Sequence, residues 1–190
     1  MFAAMLDTSV LWPSPQRDFL LSLAIEGLYR PLWSTAILDE LSHREAQKLV
    51  GRGHEPAAAV HRAQHLVDQM SAAFDDAVMV NWESLEGTFG LPDVDDEHVV
   101  AAALLGGADV TVTSNLKDFP PQQIPQPVKV ISPAQFAADT VAVSPDKARQ
   151  AVIAIATRFV RPPSTPDEIL DHLEARHAMI EAVELLRVAT

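Results

Sequence analysis

Apolar residues come in short runs along most of the chain, and stretches of helical period separate them. Phe2 to Leu6 is an apolar run closed by Asp7 and reads as a buried strand. Pro13 and Pro15 open a helix whose stripe is Phe19, Leu20, Leu23, Ala24 and Leu28. Pro31 to Trp33 is a second strand. Ser34 or Thr35 caps the next helix, with Ile37, Leu38 and Leu41 facing inward, and Gly51 and Gly53 interrupt or end it. A further helix runs from about Pro56 to Phe74, with proline in its first turn, where a missing N–H costs nothing. Ala77 to Val80, Val110 to Thr113 and Val128 to Ile131 read as strands, the second rich in β-branched residues. Between the first two of these, a helix begins near Asp96 and ends at Gly106-Gly107. Pro133 starts a short helix.

Strand and helix alternate as far as residue 139, which predicts an α/β fold. The expected architecture is a three-layer α/β/α sandwich around a mostly parallel sheet. In such sheets, polar groups just beyond the strand C-termini collect in one crevice, and ligands bind there. Residues 140–190 differ, because they hold no convincing strand. Ser144-Pro145-Asp146 opens a helix to about Val160, and the proline-rich stretch Arg161 to Pro166 breaks it. Thr165-Pro166-Asp167-Glu168 has the form of a cap and starts a helical stretch to about Val188. The predicted division is a domain over 1–139 and a helical extension over 140–190.

Composition narrows the chemistry. The chain has 190 residues and 48% hydrophobic content, enough to bury a core. It has no cysteine, which excludes a disulfide framework, a thiolate metal site and a Cys nucleophile. No basic n-region precedes the first apolar run, and Val99 to Ala108 is too short to span a bilayer, so a cytoplasmic location without membrane attachment is expected. The net charge of −12 opposes nucleic-acid binding through bulk charge.

Where the acids fall changes the meaning of that charge. Asp7 ends the first strand, Glu40 lies early in the second long helix, and Asp93, Asp95, Asp96 and Glu97 crowd one loop and first turn. Asp118 follows the strand Val110 to Thr113. Taken singly, each has an ordinary reading as a cap, a turn residue or a solvated helix residue. Asp7 is the exception, since an unpaired charge after an apolar strand is costly. Carboxylates converging on one pocket would repel unless a cation neutralised them, and an all-oxygen donor set suits Mg²⁺ or Mn²⁺.

The ordered set Met-Leu-Asp-Thr-Ser-Val-Leu, Leu-Asp-Glu-Leu, Pro-Asp-Val-Asp-Asp-Glu-His-Val-Val-Ala-Ala-Ala and Ala-Asp-Val-Thr-Val-Thr-Ser-Asn-Leu-Lys-Asp-Phe resembles the PIN domain. The branch it resembles most is the VapC-type toxins of type II toxin–antitoxin pairs, over roughly residues 1 to 137. The resemblance implies a metal-dependent endoribonuclease that hydrolyses RNA, with Asp7, Glu40, Asp96 and Asp118 at the family's acidic positions. Asp7, Asp96 and Asp118 would hold one or two Mg²⁺ or Mn²⁺ ions, and Glu40 would complete the site or position the attacking water. Thr8, Ser9 and Asn115 match polar positions that orient the carboxylates, and Asp93 and Asp95 are extra acids that assist. Asp95, Asp96 and Glu97 are adjacent, so either Asp95 or Asp96 is the ligand by register alone. The resemblance also implies an antitoxin partner. The alternative is a non-catalytic PIN-like module that binds RNA or protein. Asp-x-Asp after strand one, an acidic pair before a phospho-acceptor strand and a P-loop are all missing, which disfavours other acidic-pocket enzymes.

One stretch runs against the overall charge. From His43 to His65 the chain carries Arg44, Lys48, Arg52 and Arg62 against Glu45 and Glu55, and is expected to contact the RNA backbone, a solvated helix face being the plainer reading. His98 is expected to pack or cap. Trp12, Trp33 and Trp82 read as core or edge packing. The apolar stripes of the tail helices read as packing on the sheet domain, with a partner or homodimer surface as the alternative.

Overall fold

The structure is a computed structural model and describes residues 2–160 and 162–188. Its elements in chain order are β1 (Ala3–Leu6), α1 (Thr8–Leu11), α2 (Ser14–Ile25), β2 (Arg30–Ser34), α3 (Thr35–Gly51), α4 (Pro56–Ala73) and β3 (Val78–Met79). There follow α5 (Glu97–Leu105), β4 (Val110–Val112), β5 (Lys129–Ile131), α6 (Pro133–Val143), α7 (Pro145–Arg158), α8 (Pro166–His177) and α9 (Ile180–Val188). The five strands form one sheet in the order β3-β2-β1-β4-β5. β1 pairs in parallel with β4, Met5 opposite Thr111, and β2 pairs in parallel with β3, Trp33 opposite Val78. The fold is the expected α/β arrangement with C-terminal helices. The strand order reverses direction between β1 and β4, which makes their C-terminal ends the topological switch point.

By packing, the chain forms two units that do not follow chain order. Among the described residues, one comprises residues 3–12 and 31–130, and the other residues 2, 13–30, 131–160 and 162–188. In the first, every residue of β1 is buried, as a central parallel strand requires. Leu32, Trp33, Ile37, Leu41, Val99 and Val112 complete its core, and α5 packs on β1 and β4. α3 starts where Ser34 Oγ accepts the Ile37 N–H at 3.0 Å. In the second unit, α2 packs with α7, and α6 with α9. Phe2, Tyr29 and Phe136 form an aromatic cluster there, with the Tyr29 and Phe136 rings edge-on at 4.8 Å.

Two details depart from the sequence pattern. The stretch from Thr165 to Val188 is two helices, because Ala178 turns left-handed (φ 52) and its N–H bonds back to Leu173 O. α8 itself starts on a full capping box between Thr165 and Glu168. The single turn α1, directly after Asp7, has no periodicity to announce it. Of the proline-rich break before α8, Arg161 lies outside the described residues. Among the described residues no helix is long and apolar enough to cross a membrane.

Candidate active site

Asp7 stands at the C-terminal end of β1 and is 5% exposed. Its Oδ2 accepts two hydroxyls, from Ser9 at 2.6 Å and from Thr113 at 2.7 Å. The loop after β4 aims both. Ser114 N–H donates to Ser9 Oγ and Asn115 N–H to Thr113 Oγ1, each at 3.0 Å. The network therefore bridges the two strands of the switch point. Both hydroxyls go to Oδ2. Next to Asp7, the Thr8 hydroxyl is buried without a hydrogen-bond partner.

The loop before α5 splits its acids by role. Asp93 is exposed and its Oδ1 caps a short turn through the Asp95 N–H at 3.0 Å. Asp95 is exposed, and Asp96 is half-buried at the junction of that turn with α5. The Asp96 carboxyl is pushed up to about 6, first by burial and then by the charges of Asp7, Asp93, Asp118 and Glu40. Acids scattered along the chain thus act on one carboxyl. Asp118 lies partly buried in the turn after β4, and Glu40 projects from the first turns of α3.

Glu97, the next residue, has the opposite fate. It is fully buried, and its carboxylate accepts the N–H groups of Gly90 at 2.7 Å, Leu91 at 3.1 Å and Phe89 at 3.2 Å. Burial pushes this carboxyl up, but the N–H groups of Phe89, Leu91, Gly90 and Gly87 together bring it below its usual value. Glu97 anchors the loop that delivers Asp93, Asp95 and Asp96. His98 packs its ring against Trp82 at 5.6 Å, and its Nδ1 lies 3.3 Å from Ser34 Oγ. Burial lowers its pKa, and Asp7, Glu40, Glu86 and Asp95 oppose that shift.

The basic residues divide as well. Arg44 is tied to Glu40, with Nε at 2.7 Å and Nη2 at 2.6 Å from Oε1. Lys48 pairs with Glu45 and lies 5.8 Å over the Trp12 ring. Arg52 is exposed at the end of α3, whereas Arg62 belongs to α4 and meets His54 at 3.4 Å.

The donor set is all oxygen, and among the described residues its like charges show an ion pair only at Glu40, so its chemistry fits a hard divalent cation. Among the described residues no three His, Asp or Glu side chains already stand close enough to hold one. Sequence reasoning missed Thr113 and the anchoring role of Glu97. A strand-end threonine looks like any β-branched residue, and only its place beside Asp7 across the sheet reveals it. Of the supporting residues, Ser9 bonds Asp7 directly and Asn115 acts through its backbone N–H.

Sheet order and carboxylates together define an α/β protein with acidic side chains near the switch point of its sheet. Residues 3–117 match the PIN domain, and the chain belongs to that family. Residues 133–188 match the VapC50 C-terminal domain. The chain is similar to "Putative ribonuclease VapC50" of Mycobacterium tuberculosis, with 34% identity over 79 residues, which are 41% of this chain and 47% of that protein. It thus spans about half the length of the relative it matches. No solved structure matches the chain.

Proposed function

We propose that this chain is a metal-dependent endoribonuclease that hydrolyses RNA phosphodiester bonds, and that it is the toxin of a type II toxin–antitoxin pair. The observation that carries the reading is the buried Asp7 at the β1/β4 switch point, its Oδ2 held by Ser9 and Thr113. Membership of the PIN-domain family and the name of the similar ribonuclease support it. Asp7, Asp96 and Asp118 are the residues that hold Mg²⁺ or Mn²⁺, with Asp96 rather than the exposed Asp95 as the ligand of that loop. A cation held by these residues would supply charge neutralisation at the phosphate and activation of the attacking water. The chain's own residues do the rest. Ser9 and Thr113 fix Asp7 through its Oδ2, and Glu97 fixes the approach of Asp96. Glu40, steadied by Arg44, orients the attacking water. Asp93 and Asp95 add negative charge at the mouth, Thr8 and Asn115 complete the polar surround, and Arg44, Lys48, Arg52 and Arg62 meet the RNA backbone.

In this reading residues 1–139 are the nuclease domain, and 140–190 are a helical extension that carries a partner or homodimer surface. The protein works in the cytoplasm, silenced by a cognate antitoxin. The test is RNA cleavage by the partner-free chain with Mg²⁺ or Mn²⁺, compared with EDTA and with Asp7→Asn. Cleavage that needs metal and is lost in Asp7→Asn is the expected result. A chain that binds RNA and cleaves none under any metal condition is the non-catalytic module instead.

A further inference from the structure

The three tryptophans are not equivalent. Trp33 is fully buried, edge-on to Phe74 at 5.8 Å. Trp82 is buried, and its indole N–H donates to Thr35 Oγ1 at 3.1 Å. Trp12 is 38% exposed, at the end of the one-turn helix that begins directly after Asp7. Its backbone N–H bonds to Thr8 O, which holds it one turn from the buried Asp7. The Lys48 ammonium lies over its ring. Expectation from sequence was that all three would only pack, and the exposure of Trp12 sets it apart.

Lys48 belongs to a row. Glu40, Arg44 and Lys48 recur every four residues along one side of α3, with about 6 Å between successive members, and Arg52 follows as the C-cap residue just past the helix end. The row starts at a member of the acidic cluster and continues as three cations. Arg44 is held by Glu40 and Lys48 by Glu45, which keeps the side chains disposed along the helix. In a chain of net charge −12, an exposed indole beside a line of cations that begins at the acidic cluster is a specific surface. Single-stranded nucleic acid is held by just such pieces, cations along the backbone and an aromatic face for a base.

We propose that Trp12 stacks an unpaired base of the RNA substrate, while Arg44, Lys48 and Arg52 carry the same strand's backbone away from the acidic cluster. The identity of the strand as RNA rests on the ribonuclease reading. Because every base has a π face, the contact accepts any sequence and fixes where along the strand the cleaved bond lies.

The experiment titrates a fluorescently labelled short single-stranded RNA with the full chain carrying Asp7→Asn, alone and combined with Trp12→Leu or Trp12→Phe. Trp12→Leu weakens binding roughly 5- to 100-fold, and Trp12→Phe, which keeps a stacking face, restores most of it. Neither changes the salt dependence, whereas Lys48→Ala reduces the salt slope by about one ion. In the Asp7→Asn chain RNA quenches the indole emission, and in the Trp12→Phe version that quenching is lost. No RNA binding, or equal binding by the Leu and Phe versions, overturns the inference. If the unsubstituted chain cleaves RNA with metal and Trp12→Leu cleaves it with unchanged KM and kcat, the stacking contact alone is wrong. If Trp12-dependent binding is found and no metal supports cleavage, the nuclease reading alone is wrong.

Discussion

In the helical unit, Arg187 and Glu168 each meet favourable partners. Arg187 reaches Asp171 at 2.6 Å and Glu174 at 3.0 Å, and the Glu168 carboxylate closes a capping box with the Thr165 N–H at 2.8 Å. In the sheet unit, Asp7, Asp93, Asp118 and Glu40 all raise the Asp96 carboxyl. Asp171, Glu174 and Glu168 add stability there, whereas the charges around Asp96 oppose its ionisation. The same contrast occurs within a single peptide bond. Glu97 is buried and satisfied by three backbone N–H groups, whereas Asp96 is half-buried among other carboxylates. A folded chain tolerates such crowding where something else compensates it, and a bound cation is the compensation that an all-oxygen donor set invites.

The largest effect expected from breaking the contrast lies at Glu97. Glu97→Ala leaves three N–H groups without their acceptor in a buried place and costs about 3 kcal/mol, read as a lower denaturant midpoint. Next is the hydroxyl that orients Asp7. Thr113→Val keeps the shape and removes the donor to Oδ2, so metal affinity and RNA cleavage fall roughly 10- to 100-fold while the melting temperature changes much less. The smallest effect lies in the helical unit. Arg187→Ala breaks two exposed ion pairs and lowers stability by less than about 1 kcal/mol, an effect that added salt diminishes.

pH separates the two neighbours by sign. Glu97 has a folded pKa below its usual value, so its contribution is present above the ordinary carboxylate range and is lost as pH falls through the folded value. Asp96 has a folded pKa raised from 3.8 to about 6, so the native state binds the extra proton in that window. Its contribution to metal-free stability therefore falls as pH rises from about 4 to about 6. Metal affinity runs the other way and weakens as pH drops below about 6, because protons then compete for the same carboxyl. Thermal melts across this range, with EDTA and with Mg²⁺, check both signs.

Much of the fold and the set of acids could be read along the chain. The five strands are short apolar runs closed by polar residues, and the caps at Ser34 and Thr165 stand where side-chain chemistry demands them. What stayed hidden depends on contacts across the sheet or on backbone geometry. Thr113 gains its role only because β4 lies beside β1. Glu97 reads as one more acid in a run, and only the loop folded around it makes it structural. The break at Ala178 has no glycine or proline to mark it, and Arg44 looks free until the helix sets it one turn from Glu40. Trp12 looks like its two buried counterparts, because exposure is not written in residue type.

The most direct test of the central claim, that the site crowds carboxylates for a cation to neutralise, is the melting temperature of Asp96→Asn at neutral pH. Measured in EDTA and again with Mg²⁺ or Mn²⁺, the substituted chain melts higher than the parent without metal, and loses the metal-induced rise that the parent shows. A lower melting temperature in EDTA, together with an unchanged response to metal, would contradict the account.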